Sequence, residues 1–177
     1  SMLPDGGTFT TEAVATLACT DSDATIYYTL DGTVPSTYSH QYQNEPLSVM
    51  MSGTRVRIMA KAPGREASEL VTSSLFIINS PPPVISETPG VHTDSTVGII
   101  ASADPNSDIH VTTDGSKPTF RSPKYNSAFG LTIRQTRTIV RAIAISRFME
   151  PSKAVASETI LIKTSTPEID PDGGSFV

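Results

Sequence analysis

The chain has 177 residues, of which 37% are hydrophobic, 6% aromatic and 18% charged, and its formal net charge at pH 7 is −5. This share of apolar residues suffices for folded cores and excludes an intrinsically disordered chain. The acidic balance argues against a nucleic-acid partner, and the longest apolar runs are too short for membrane insertion.

The cysteine content limits how the chain is held together. Cys19 is the only cysteine, so no internal disulfide can form and each folded unit depends on packing alone. The chain also has no Asn-x-Ser/Thr sequon. Both features are compatible with a cytoplasmic location and with a bacterial extracellular one, so the compartment stays open.

The first clear element is a strand over residues 26–30, because its apolar residues alternate with a period of two. One face of this predicted strand carries Ile26, Tyr28 and Leu30, and the other carries Tyr27 and Thr29. No window of the chain has the period of a long amphipathic helix.

A turn follows this strand. Asp31 and Gly32 predict it, because Gly tolerates positive φ and Asp can bond its own backbone, and Pro35 fixes the path of the next segment. Residues 55–62 then alternate as a half-buried strand, and residues 70–78 are rich in β-forming residues and predict the closing strand.

The same pattern returns later in the chain. Residues 27–35 match residues 110–118 at an offset of 83, which places a second turn at Asp114 and Gly115, with Pro118 in the place of the first proline. Self-similarity at a fixed period is the signature of a repeat protein.

The period divides the chain into segments. We predict the first repeat over residues 3–80 and the second over 81–165. Residues 171–176 repeat residues 4–9, so residues 166–177 are predicted to begin a truncated third repeat, and we expect the natural protein to continue. About seven short strands in each repeat predict an all-β fold of tandem immunoglobulin-like β-sandwiches.

The motifs resemble those of the chitobiase/β-hexosaminidase C-terminal domain family, whose related modules are described as fibronectin type III-associated repeats. The residues that carry the resemblance are Gly6, Gly7, Phe9, Ile26, Tyr27, Tyr28, Thr29, Asp31, Gly32, Pro35, Tyr42, Pro46, Leu47, Ala60, Ala62 and Ser68. The resemblance implies an immunoglobulin-like accessory module, often attached to glycoside hydrolases or bacterial surface proteins and present in some intracellular eukaryotic proteins. It implies no catalysis.

The second copy departs from this pattern at several positions. Val111 replaces Tyr28, His92 replaces Phe9, and Thr88 and Pro89 replace Asp5 and Gly6. The turn and the closing strands are kept, so we expect the same fold there.

The Asp-Gly-x-x-Pro motif has a structural and a functional interpretation. Turn chemistry accounts for each of its residues, so we interpret it as a structural motif rather than a ligand site. Its members are Tyr28, Asp31, Gly32 and Pro35 in the first copy and Asp114, Gly115 and Pro118 in the second.

No catalytic or metal-binding pattern is found in the sequence. Asp104, Asn106 and Asp108 alternate as in half a calcium loop, but turn formation explains them equally well. The three histidines do not cluster with a nucleophile or with metal-ligand spacing. We therefore predict no cofactor, no metal and no enzymatic activity.

The remaining question is the partner. Tyr27, Tyr42 and Tyr125 form the candidate ligand or partner surface, although the chain has no Trp on which a sugar could stack. We expect a monomeric fragment that acts as a non-catalytic spacer or protein-interaction array within a larger protein. The alternatives are a carbohydrate-binding module attached to a glycoside hydrolase or surface protein, and an intracellular eukaryotic scaffold segment.

Overall fold

The structure, a computed structural model, describes residues 1–86 and 91–168. Every regular element in these residues is a β-strand, which confirms the predicted all-β class. No helix in the described part of the chain is long and apolar enough to cross a membrane. Thr88, Pro89 and the predicted third copy from residue 169 onward lie outside the described residues.

The described residues hold seventeen short strands, several of which alternate buried and exposed residues with the period of two found in the sequence. In chain order they are β1 (Met2–Leu3), β2 (Gly7–Thr10), β3 (Ala13–Leu17), β4 (Thr25–Thr29), β5 (His40–Gln41), β6 (Leu47–Val49), β7 (Arg57–Lys61), β8 (Val71–Thr72), β9 (Phe76–Asn79), β10 (Val84–Ser86), β11 (Val91–Thr93), β12 (Thr96–Ala101), β13 (Asp108–Thr112), β14 (Leu131–Ile133), β15 (Arg141–Ile145), β16 (Val155–Ala156) and β17 (Leu161–Lys163).

The chain forms two compact units. The first comprises Ser1–Pro82, Ala103–Asp108 and Ala144–Lys153, and the second comprises Pro83–Ser102, Ile109–Ile143 and Ala154–Val177. The repeat boundaries, 3–80 and 81–165, follow the sequence period and stay a prediction.

The first repeat is an immunoglobulin-like β-sandwich. One sheet has the strand order β1-β3-β6 and the other has the order β5-β4-β7-β8, with all neighbours antiparallel. The first and last segments of the repeat add a parallel pair, β2 with β9, in which Gly7 lies opposite Phe76 and Thr10 opposite Asn79. The buried cluster takes members from both sheets and includes Ala15, Ile26 and Ile58.

The second repeat has the same strand order. Its sheets are β10-β12-β14 and β13-β15-β16, and its parallel pair is β11 with β17. A single bridge between His110 and Lys124 stands in the place of the β4–β5 pairing. The predicted tandem of immunoglobulin-like sandwiches is therefore what the described residues form.

Each predicted closing strand is split into two short strands, and a serine lies at the break. The amide of Ser73 donates to the carbonyl oxygen of Val56 over 2.9 Å, and the amide of Val56 donates to Ser73 Oγ over 2.9 Å. In the second repeat, Ser157 forms the same two bonds with Val140, over 2.8 and 3.0 Å. The hydroxyl replaces a main-chain acceptor, so the chain can leave the sheet without leaving a buried amide unpaired.

A second serine works in the same way at the other end of β8. Ser68 exchanges bonds with Ala60, each over 2.9 Å. Ser152 forms the corresponding pair with Ala144, over 2.9 and 3.0 Å. β8 and β16 are thus each flanked by two serines that attach them to the central strand of their sheet.

Replacing Ser73 by Ala should destabilise the first repeat by about 1–3 kcal/mol, because the buried amide of Val56 loses its acceptor. Urea unfolding of the intact chain measures this loss. Ser22→Ala, at an exposed loop position, is the control and should leave the transition unchanged. Equal midpoints for the two variants would show that the hydroxyl is dispensable.

Residues 1–82 and 82–166, expressed separately, should each give a β-rich circular dichroism spectrum and a cooperative thermal transition. The reason is that the ten buried members of the first cluster lie between Ala13 and Ile78, and the eight of the second lie between Ile100 and Ile160. If neither fragment folds, the boundary at residues 80–82 is wrong.

Candidate functional site

The turn after β4 is held by its own polar side chains. Asp31 Oδ1 accepts hydrogen bonds from the amide of Thr33 over 3.0 Å and from Thr33 Oγ1 over 2.6 Å. The hydroxyl of Thr29, a buried residue, donates to the carbonyl oxygen of Thr33 over 2.7 Å. These bonds fold the segment back on itself, so the aspartate side chain is engaged within the loop.

The second copy builds the same turn from the equivalent residues. Asp114 Oδ1 accepts from the amide and the hydroxyl of Ser116 over 3.0 and 2.6 Å. The hydroxyl of Thr112 donates to the carbonyl oxygen of Ser116 over 2.7 Å. The agreement of these distances indicates that the motif specifies one backbone conformation.

These hydrogen bonds favour the ionised form of the two carboxylates. The hydroxyl of Thr33, helped by its amide, holds the pKa of Asp31 below the ordinary value of 3.8. The hydroxyl and amide of Ser116 lower the pKa of Asp114 in the same way. A general acid that works at neutral pH needs a raised pKa, so the shift is opposite to that required for this role.

The glycines and prolines of the motif complete the turn. Gly32 and Gly115 have φ values of +83° and +81°, in the left-handed region that side chains disfavour. A Cβ atom at either glycine would meet no heavy atom within 4 Å, so the requirement comes from the backbone alone. Pro35 and Pro118 are buried.

The tyrosines of the predicted surface are placed differently from one another. Tyr27 and Tyr125 are each only 9% exposed, and the hydroxyl of Tyr125 accepts a hydrogen bond from the amide of Ile100 over 3.1 Å. A ring buried in this way contributes to packing, and a role of these two residues at a ligand or partner surface stays a prediction. Tyr42 is half-buried and packs against the first core cluster.

Tyr28 also belongs to the packing of the first repeat. Its ring contacts the core cluster and stacks on His40 at a centroid distance of 5.7 Å. In the second repeat the equivalent residue, Val111, is buried in the core. An apolar side chain suffices at this position, as expected for a structural role.

Two strongly exposed aromatic residues lie on the loop that follows the motif, one in each repeat. Tyr38 is 99% exposed and Phe120 is 66% exposed. The loop has one conformation in both repeats, because the amide of Ser36 donates to Ser39 Oγ over 3.0 Å and the equivalent bond in the second repeat has the same length. Sequence reasoning missed this loop. Its signal is a pair of hydroxyl residues three positions apart, because such residues form turns that expose the side chains between them.

The acidic loops bond internally. Asp104 Oδ1 accepts from the amide of Asn106 over 2.9 Å, and Asp21 Oδ1 accepts from the amide of Asp23 over 3.1 Å. Asp21 also pairs with the guanidinium of Arg65. Within residues 1–86 and 91–168, no three His, Cys, Asp or Glu side chains are grouped as metal ligands would be.

Gly32→Val and Gly115→Val should each destabilise their repeat by about 1–3 kcal/mol, because the positive φ strains any β-branched residue. Thermal unfolding of the intact chain measures the effect. Gly98→Ala is the control, since Gly98 lacks a positive φ and its Cβ would meet only ordinary contacts from 3.9 Å. A motif variant that unfolds normally but loses a binding partner would reassign the glycine to a ligand site.

Comparison with solved structures finds matches of low sequence identity. The fibronectin(III)-like modules of CbhA from Clostridium thermocellum are 12% identical, with 98% of this chain and 99% of that chain covered and a TM-score of 0.31. Murine CEACAM1b is 12% identical, with 92% and 98% covered and a TM-score of 0.34. Domains 7, 8 and 9 of the S-layer protein SbsC are 10% identical at a TM-score of 0.31, and this chain spans 58% of that chain.

Comparison by sequence identifies a family for each repeat. No curated protein matches the chain. Residues 4–73 match the family described as chitobiase/beta-hexosaminidase C-terminal domain, and residues 99–160 match the family described as Fn3 associated. The predicted resemblance to these two families is therefore confirmed, with one match in each repeat.

Proposed function

We propose that the chain is a non-catalytic accessory segment of a larger protein, in which it acts as a spacer or a protein-interaction array. The observation that carries this proposal is the use made of the Asp-Gly-x-x-Pro motif. In both repeats the aspartate bonds its own loop, the glycine supplies a positive φ and the proline is buried. The most distinctive residues of the family pattern therefore hold the fold.

The loop after the motif supports a surface role for the repeats. The bond from a main-chain amide to a serine hydroxyl is kept between the copies, whereas the exposed residues of the loop change from Thr37 and Tyr38 to Phe120 and Arg121. A fixed loop with variable side chains is what a binding scaffold uses, since the fold positions the loop and the side chains choose the partner.

A carbohydrate-binding module is the second candidate function. It is favoured by Tyr38 and Phe120, which stand exposed at the same loop of each repeat and could stack on a sugar ring. The two rings differ in exposure and in sequence position within the loop, which weakens the case for two equal sites. Two modules gain avidity only when both sites bind.

Calorimetric titration of the intact chain with chitin and cellulose oligomers separates the two functions. We expect no submillimolar binding, and we expect the chitin oligomer to stay uncleaved after prolonged incubation with the chain. Submillimolar binding that is lost in Tyr38→Ala but kept in Thr37→Ala, with the fold intact, would establish the carbohydrate-binding function. Cleavage that survives repurification would overturn the non-catalytic assignment.

A further inference from the structure

An apolar pocket of about 400 Å³ opens at the edge of the first repeat, beside Ser1. Cys19, just after β3, and Ile26 of β4 form part of its wall, and Met59 and Ala60 of β7 form another part. Met59 and Ala60 are only half-buried and Cys19 is exposed. The central strand of one sheet is therefore left partly uncovered at this edge.

The equivalent positions of the second repeat are covered. Ile143 and Ala144, which correspond to Met59 and Ala60, are 3% and 0% exposed. Ser152 is 7% exposed, whereas its counterpart in the first repeat, Ser68, is exposed. The two repeats thus share this surface but differ in how deeply it is buried.

In the second copy, residues 78–80 bind the loop that follows Ala144, and these contacts lie within the first compact unit. We call residues 146–150 the receptor loop of the second repeat. The amide of Glu150 donates to the carbonyl oxygen of Ile78 over 2.8 Å, and the amide of Ser80 donates to the carbonyl oxygen of Glu150 over 2.9 Å. The incoming segment therefore pairs with the loop through main-chain atoms.

One side chain adds to this pairing. Ser80 is 1% exposed, and its Oγ accepts from the amide of Ser146 over 2.8 Å and donates to the carbonyl oxygen of Glu150 over 2.9 Å. The prolines at positions 81–83 follow directly. Proline has no amide hydrogen, so a proline run can cover an apolar wall without burying an unpaired donor.

The first repeat has the same receptor loop, formed by residues 62–66. The amide of Arg65 donates to the carbonyl oxygen of Ala62 over 3.3 Å, and the equivalent bond in the second repeat has the same length. Gly64 has a φ of +70°, and Phe148, the residue at the same place in the second loop, has a φ of +64°. A bulky residue adopts positive φ at a cost, so this conformation is specified by the loop and is already formed in the first repeat.

We propose that the receptor loop at residues 62–66, with the adjoining pocket, binds the exit segment of another repeat of this kind. The occupant is an extended peptide with the chemistry of residues 78–83, namely Ile, a polar residue, Ser and a proline run. The amide of Ala62 would donate to the serine hydroxyl and the amide of Glu66 to the isoleucine carbonyl oxygen. Residues 162–167 of the second repeat have a similar order, with Ile162, Thr164 and Pro167.

This inference deepens the proposed function and rests on it, because it names the partner that an array of repeats would use. Its test is binding at one pocket of the intact chain, whereas the proposed function is tested by sugar binding and cleavage. Failure of the peptide experiment would leave the non-catalytic assignment standing.

The probe is an acetylated peptide with the sequence of residues 76–83, and the readout is the rate at which an excess of iodoacetamide alkylates Cys19, the only cysteine of the chain. We expect millimolar peptide to slow alkylation in a saturable manner. The same peptide with Ala in place of Ser80 should bind about tenfold more weakly, because two hydrogen bonds are lost.

Two protein variants locate the effect. Ala60→Arg fills the pocket and should abolish protection of Cys19 by the peptide, whereas Val14→Arg, on the exposed face of β3, should keep it. Unchanged alkylation at millimolar peptide, or equal protection by the Ser80→Ala peptide, would overturn the proposal. The comparison of the two peptides uses the unaltered protein, so it tests the proposal even if Ala60→Arg fails to fold.

Discussion

The hydrogen bond between a serine hydroxyl and the amide of a central strand is the interaction on which the rest of the fold depends. Ser73 and its counterpart Ser157 take over an acceptor role that a neighbouring strand would otherwise supply. Because the amide of the central strand has an acceptor, the residues that follow the serine can leave the sheet and pair with the first strands of the same repeat. Without this bond, a buried amide would lose its hydrogen-bond acceptor when the chain leaves the sheet. The closing segment could then reach the opposite edge only at a cost in folding free energy.

The polar residues of the turn motif obey the same constraint, and this bears directly on function. Hydroxyls and carboxylates that look chemically available in the sequence are engaged by backbone groups a few residues away, as Asp31 is by Thr33. Interaction surfaces must then be sought where the fold leaves side chains outside or backbone groups uncovered. Tyr38 illustrates the first case, since its side chain is 99% exposed.

The sequence predicted the parts of the structure that local rules determine. The period of two located β4 and β7, and the positive φ of Gly32 follows from the Asp-Gly turn signal. Alternation reports which residues share a face but not whether both faces are covered, so the burial of Tyr27 and Tyr125 could not be read from it. The sequence analysis also missed the break in the closing strand, because a serine hydroxyl that accepts a main-chain hydrogen bond does not change the hydrophobic period. The receptor loop required a comparison of two backbones, because its sequence differs between the copies while its conformation does not.

The parallel pairing of β2 with β9 has a mechanical consequence. In this geometry a pull on the two ends of the repeat drives the strands past each other along their length, so the hydrogen bonds from Gly7 to Asn79 are loaded together and not one after another. Resistance to such shear is governed by the rate of forced unfolding rather than by equilibrium stability. Under tension, each repeat would therefore keep its length until these bonds break together, and the chain would lengthen by one whole repeat at a time.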